Sequence, residues 1–118
     1  MPAHLIDPQA LLKAAGQDPS LCYELLEIFI KSFADDIEQL DGAIQSDDSA
    51  TTRHLLHRVK GSLQILGIQP VVLRIEEVSG QLHGSIEASQ AAALKELFET
   101  FSQILDEAIS ILDHNALD

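Results

Sequence analysis

Apolar residues recur at three- and four-residue intervals along almost the whole chain, and no stretch alternates apolar with polar positions over the length of a strand. Five segments carry this helical period, each framed by start and stop signals. Residues 7–15 begin with a capping Asp7 and Pro8 and end before Gly16; Ala10, Leu11, Leu12, Ala14 and Ala15 give them an apolar side. Residues 19–46 open on Asp18-Pro19-Ser20, and Cys22, Leu25, Leu26, Phe29, Phe33, Leu40, Ala43 and Ile44 share one face. Ile28 and Ile30 lie on opposite flanks of that face. Asp36 projects toward it, which the pattern alone does not explain. The polar break Ser46-Asp47-Asp48-Ser49 then supplies a cap for residues 49–66, which stop at Gly67.

Only Ile68 and Gln69 separate that stop from Pro70, which suits the first turn of a helix over 70–84 striped by Val71, Val72, Ile75, Val78 and Leu82. So short a link makes the two helices antiparallel neighbours. The last segment, 88–114, has a broad apolar side of Ala93, Leu94, Leu97, Phe98, Phe101, Ile104, Leu105, Ala108 and Leu112. The pattern predicts an all-α fold: an up-down antiparallel four-helix bundle with an additional short N-terminal helix as a lid, in a single domain over residues 1–118.

The 49–66 helix carries the chemistry. With about 100° of rotation per residue, Leu55, Val59, Ser62 and Leu66 fall within about 40° of one pole, flanked by Leu56 and Leu63. His57 stands at the opposite pole, with Arg53, Lys60, Gly61 and Gln64 within about 60° of it. The pattern therefore expects an imidazole projecting into water, a lysine at i+3 and a glycine at i+4, the two offsets that touch on a helix surface. Glycine costs about 1 kcal/mol relative to alanine inside a helix. Its presence there points to a bare surface needed for close approach by another protein. A neutral imidazole nitrogen can carry a covalent group, and a lysine one turn away can neutralise an anion attached to it.

Composition narrows the partners. The formal charge of −12 repels phosphate backbones and anionic lipid, and one Tyr with no Trp offers no stacking platform, so neither nucleic-acid binding nor membrane insertion is expected. No apolar run approaches a membrane span and no signal peptide is apparent. The single Cys22 fits a reducing, cytoplasmic setting and reads as inert core. His54 and His57 stand at i, i+3 and could pair on a metal. A closed site needs about four ligands, however, and Arg53, Arg58 and Lys60 crowd the patch, so no metal site is expected. No phosphate-binding glycine loop, nucleophile elbow or Cys-x-x-Cys is present, and nothing would bind ATP.

The run His57-Arg58-Val59-Lys60-Gly61-Ser62 followed by Leu66-Gly67 resembles the signature of histidine phosphotransfer (HPt) domains: His, any residue, a hydrophobe, Lys-Gly, a small residue, and a closing hydrophobe-Gly. Leu25 to Ile30, the Ser46-Asp47-Asp48 break, and Ile68 to Leu82 with Glu76 and Glu77 are similar to the family around it. The likeness extends over roughly residues 19–112. It departs from the family at Leu56, where a small residue is usual. The resemblance implies a phosphorelay intermediate. His57 would accept a phosphoryl group from the aspartate of one response-regulator receiver domain and pass it to another. Lys60 would neutralise the phosphate, and Gly61, Gln64, Arg53 and Ile65 would line the docking face. No cofactor of its own is implied, since Mg²⁺ would reside in the receiver, and the carrier would be a monomer, free-standing or part of a hybrid sensor kinase. Arg58-Val59-Lys60-Gly61 does not resemble the acidic and proline-containing stretch after the histidine of kinase dimerisation domains. A helical module that docks a signalling partner without carrying phosphate remains the alternative.

Overall fold

Aspartate–proline pairs start the first two helices of the computed structural model, which describes residues 4–117. α1 (Pro8–Ala14) is capped by Asp7, whose carboxylate accepts from Gln9 N at 3.0 Å. α2 (Pro19–Gln45) is capped by Asp18, accepting from Ser20 N at 3.0 Å. α3 (Ser49–Leu66) is capped by Asp48, which takes both the backbone N–H and the hydroxyl of Thr51. These contacts satisfy donors that a helix N-terminus otherwise leaves orphaned. Gly67 closes α3 in the left-handed conformation (φ 72°), as a C-terminal glycine cap does. α4 (Gln69–Gly80) and α5 (Ala88–Asp113) complete the chain, and the described residues contain no strand.

The helix expected over 70–84 stops at Gly80. Leu82 is fully buried, so its place in the apolar stripe is real, but it sits in the connection rather than on the helix. At the end of α4 the Gln81 carbonyl accepts the side-chain amide of Gln90 on α5 at 2.6 Å, and Gln90 Oε1 in turn accepts from Glu87 N at 3.0 Å, which ties the connection to the start of α5.

α2 packs on α3 and α5, and α4 packs on α3 and α5, so the four long helices form a square with α1 laid over α2 and α3. The molecule measures 47 × 25 × 22 Å. Phe33 of α2 and Phe101 of α5 meet edge-on at 5.7 Å in the core, where Leu40, Leu56, Val59, Leu63 and Ile104 are wholly enclosed. At the far end Ile86 N donates to Asp47 Oδ1 at 2.7 Å and the Ser49 hydroxyl donates to the Gly84 carbonyl, fastening the α4–α5 connection to the start of α3.

The segments before α1 and after α5 are fastened too. Leu5 N and Ile6 N both donate to Glu107 on α5, at 2.8 and 2.9 Å to Oε1, which seats Ile6 in the core. Leu117 N donates to the Tyr23 hydroxyl at 2.9 Å. Burial pushes the Glu107 carboxyl up, but the Ile6 and Leu5 N–H groups and the Gln103 amide outweigh it, and the result lies below the ordinary value of 4.5. A depressed carboxyl contributes stability that is present above the unfolded pKa and lost as pH falls through the lower, folded one. Glu107→Gln is therefore expected to cost about 1–2 kcal/mol at pH 7. That gap to wild type should narrow below about pH 4.5 in urea melts run across pH.

Candidate functional site

α3 buries Leu55, Leu56, Val59, Leu63 and Leu66 and turns His57 outward. Arg53, His54 and Gln64 are exposed beside it, and Gly61 and Ser62 are half-buried, so Ser62 stands at the margin of the packed stripe. Among the described residues none hydrogen-bonds to or ion-pairs with His57, which leaves both imidazole nitrogens open to a reactant. A β-carbon built at Gly61 would meet nothing beyond its own helix backbone within 4 Å, and its backbone is ordinary helix. The fold itself therefore does not require a glycine there.

The two cations that flank His57 point away from each other. Arg58 reaches α2, where its guanidinium lies 2.9 Å from Asp36 Oδ1. This explains the carboxylate on the core face of α2: Asp36 is 3% exposed, Arg58 46%, so the pair bridges interior and solvent. The contact is an ion pair rather than an aligned hydrogen bond, and Asp36 Oδ1 has no other partner in the described structure. Burial pushes the Asp36 carboxyl above its ordinary value, Arg58 pulls it back and Asp35 raises it again. Lys60 leans the other way, toward α4, with Nζ 3.7 Å from Glu76 Oε1. It is 22% exposed, and so is neither a freely solvated charge nor part of one patch with Arg58, as the run of cations in the sequence suggested.

Two hollows border α3, one of them lined by the histidine. On the α4 side, His57, Lys60, Ile75, Glu76, Ser79 and Gly80 line an open depression of about 270 Å³. On the α2 side, a groove of about 180 Å³ runs among Leu11 and Ala14 of α1, Leu25, Ile28 and Phe29 of α2, and Ser62 and Ile65 of α3. Its rim is oily and wet: Ile65 is 69% exposed, Ile28 65% and Leu25 43%. Leu25 was expected in the core. It is displaced to the surface because α1, only seven residues long, covers just part of this flank of α2. Of the two isoleucines on opposite flanks, Ile30 is the one partly covered.

The structure thus gathers His57, Lys60 and Gly61 on one surface, with Ile65 on the α2 side, and adds Glu76 and Ser79, whose part the sequence left unread. It separates Arg58 from that group. Among the described residues no cluster of three His, Cys, Asp or Glu side chains could hold a metal ion, and His54 gains no third ligand near His57. No described helix is long and apolar enough to cross a membrane.

A family model for the Hpt domain matches residues 24–116. The chain belongs to the Hpt domain family. Members serve histidine phosphotransfer in phosphorelays, as phosphocarriers rather than kinases. The fold agrees: the crystal structure of the HPT domain from the Hpt sensor hybrid histidine kinase from Shewanella superposes with a TM-score of 0.79. The two share 18% identity over 94% of this Hpt chain and 96% of that one, a likeness of fold. No curated protein matches the sequence.

The Arg58–Asp36 pair predicts an asymmetry. Arg58→Met leaves a carboxylate in the interior without its cation and should cost about 2 kcal/mol at pH 7. The folded state then favours the protonated acid, so the loss should shrink as pH is lowered toward 4. Asp36→Asn removes the buried charge, leaves Arg58 half in water, and should change stability by less than about 1 kcal/mol. In the double variant most of the Arg58→Met loss should be recovered, a comparison that denaturant melts read directly.

Proposed function

We propose that this Hpt domain takes a phosphoryl group on His57 from the aspartyl phosphate of one receiver domain and returns it to the aspartate of another. The observation that carries the reading is an outward imidazole with no partner among the described residues, set beside Lys60 and a glycine that the fold does not need. In the forward step the P–O bond of the acyl phosphate breaks and leaves a carboxylate. A P–N bond forms at one imidazole nitrogen, and the other nitrogen keeps its proton until water removes it. Such transfer asks for positioning and charge neutralisation more than for covalent machinery. Lys60 supplies the charge. The Mg²⁺ that the reaction needs is assigned to the receiver, and this chain brings no cofactor of its own.

The two sides of His57 suit a division of labour. The apolar rim of Leu25, Ile28 and Ile65 on the α2 side offers exposed apolar area that a docked partner would take out of water, while the hollow on the α4 side admits the reacting group. Gly61, Gln64 and Arg53 share with His57 the outward face of α3 that a receiver would cover. Charge assists the approach. α3 contains none of the chain's 19 acidic residues and holds Arg53, Arg58 and Lys60 among the seven Lys and Arg, so an acidic partner meets the one long helix without acids. That face must stay open between partners, which favours a monomeric carrier.

The test is transfer from a panel of phosphorylated receiver domains, following label that is acid-labile and base-stable. Wild type should become labelled and His57→Gln should not; equal labelling of both would end the proposal. Two substitutions at Gly61 separate stability from docking. Gly61→Ala should stabilise the helix by about 0.5–1 kcal/mol in thermal or urea melts, because no side chain opposes the new methyl. Gly61→Glu should leave the helical circular dichroism intact yet reduce transfer at least tenfold, through bulk and repulsion. Unimpaired transfer in that variant would remove the reason given for the glycine.

A further inference from the structure

The hollow on the α4 side is poorly suited to holding an anion permanently. Lys60 is the one cation among its lining residues. That ammonium already faces Glu76 Oε1 at 3.7 Å, and Glu76, 49% exposed, lines the same hollow. Gly80, the last residue of α4, lines it as well, so the C-terminal turn of that helix, its negative end, borders the hollow. The other flanking cation, Arg58, is committed to Asp36 on the opposite side. A phosphoryl group arriving on His57 brings close to two negative charges. It must share Lys60 with a carboxylate that was there first.

We propose that Glu76 is a built-in competitor for Lys60. Before transfer its carboxylate holds the ammonium at the edge of the hollow, in place for an incoming phosphoryl group. After transfer it repels that group and limits how strongly Lys60 can stabilise it, so the load on His57 remains easy to give up. This inference rests on the phosphocarrier reading above and makes Glu76 a positioning residue, acting on the phosphoryl group through Lys60 and through space.

The test compares wild type, Glu76→Gln, Glu76→Asp and Glu77→Gln. Each is charged with phosphoramidate, mixed with a receiver domain that labels wild type, and left to equilibrate. The ratio of phosphohistidine to phosphoaspartate is then read from their opposite acid and base stabilities. Removing one negative charge several ångströms from a near-divalent anion at a solvated site should shift that ratio about threefold to tenfold toward phosphohistidine. Glu76→Asp keeps the charge and should stay within about twofold of wild type. Glu77→Gln makes the same change of net charge on the same helix, but Glu77 pairs with Arg74 at 3.2 Å and does not line the hollow, so its ratio should match wild type. The shift in Glu76→Gln should also diminish as salt is raised, since charges at this exposure are screened. A wild-type ratio in Glu76→Gln, or an equal shift in Glu77→Gln, overturns the competitor role while leaving the carrier reading intact. Failure of any receiver or of phosphoramidate to label wild-type His57 overturns both.

Discussion

The site depends on how α3 is held. One face of the helix is packed against the bundle, and its two flanks are tied by ion pairs to different neighbours: Arg58 to Asp36 on α2, and Lys60 to Glu76 on α4. His57 stands between the two ties. A helix fastened only by its apolar stripe can still roll by a fraction of a turn, because aliphatic contacts are non-directional. Two charge contacts on opposite sides oppose rolling in both directions. The pair on the α2 side is the firmer, since its carboxylate is enclosed and loses its counter-charge if the helix turns away. The pair on the α4 side is wetter and longer, and it is the one a bound anion can disturb.

Both ties have a simple origin in the chain. In a pair of antiparallel helices, residues equally distant from the turn sit at about the same height. Asp36 and Arg58 lie eleven residues on either side of Asp47, at the centre of the α2–α3 turn. Lys60 and Glu76 lie eight residues on either side of Ile68 in the α3–α4 turn, and His57 and Ser79 lie eleven on either side of it. Short, well-capped turns leave little slack in this register. The left-handed Gly67 and the Asp48 cap therefore bear on the site although neither touches it.

The same geometry shows why some of this was legible in the sequence and some was not. Period, caps and turn signals were enough for the helices, because each is a local property. The outward pole of α3 was readable because its opposite pole is five aliphatic residues deep. What a single helix cannot report is which neighbour stands on each flank. Counting cations near His57 grouped Arg58 with Lys60, although two residues at 100° each stand about 160° apart on a helix, and the bundle sends them to opposite sides. A wheel for α2 alone put Leu25 inside, whereas the short α1 leaves that flank uncovered. Asp36 made no sense on a core face until Arg58 arrived from the next helix. Its explanation was available only by pairing positions across the turn, as was the placement of Glu76 beside Lys60.

A carrier that both receives and surrenders the same group must hold it neither too weakly nor too tightly. An enclosed site with several cations would make phosphohistidine a resting state, since charge-assisted contacts in a dry pocket are strong. The arrangement here goes the other way. The chain has few cations, one of the two nearest is tied up on the far flank, and the other is shared with a carboxylate in an open hollow about 270 Å³ in volume. On the carrier reading proposed above, the apolar groove on the α2 side would add contact area without adding charge, so that partner affinity and phosphoryl affinity could be set independently. On the same reading, separating the two roles onto opposite flanks of one helix would let a small bundle serve several partners through one face while the energy of the P–N bond is adjusted from the other.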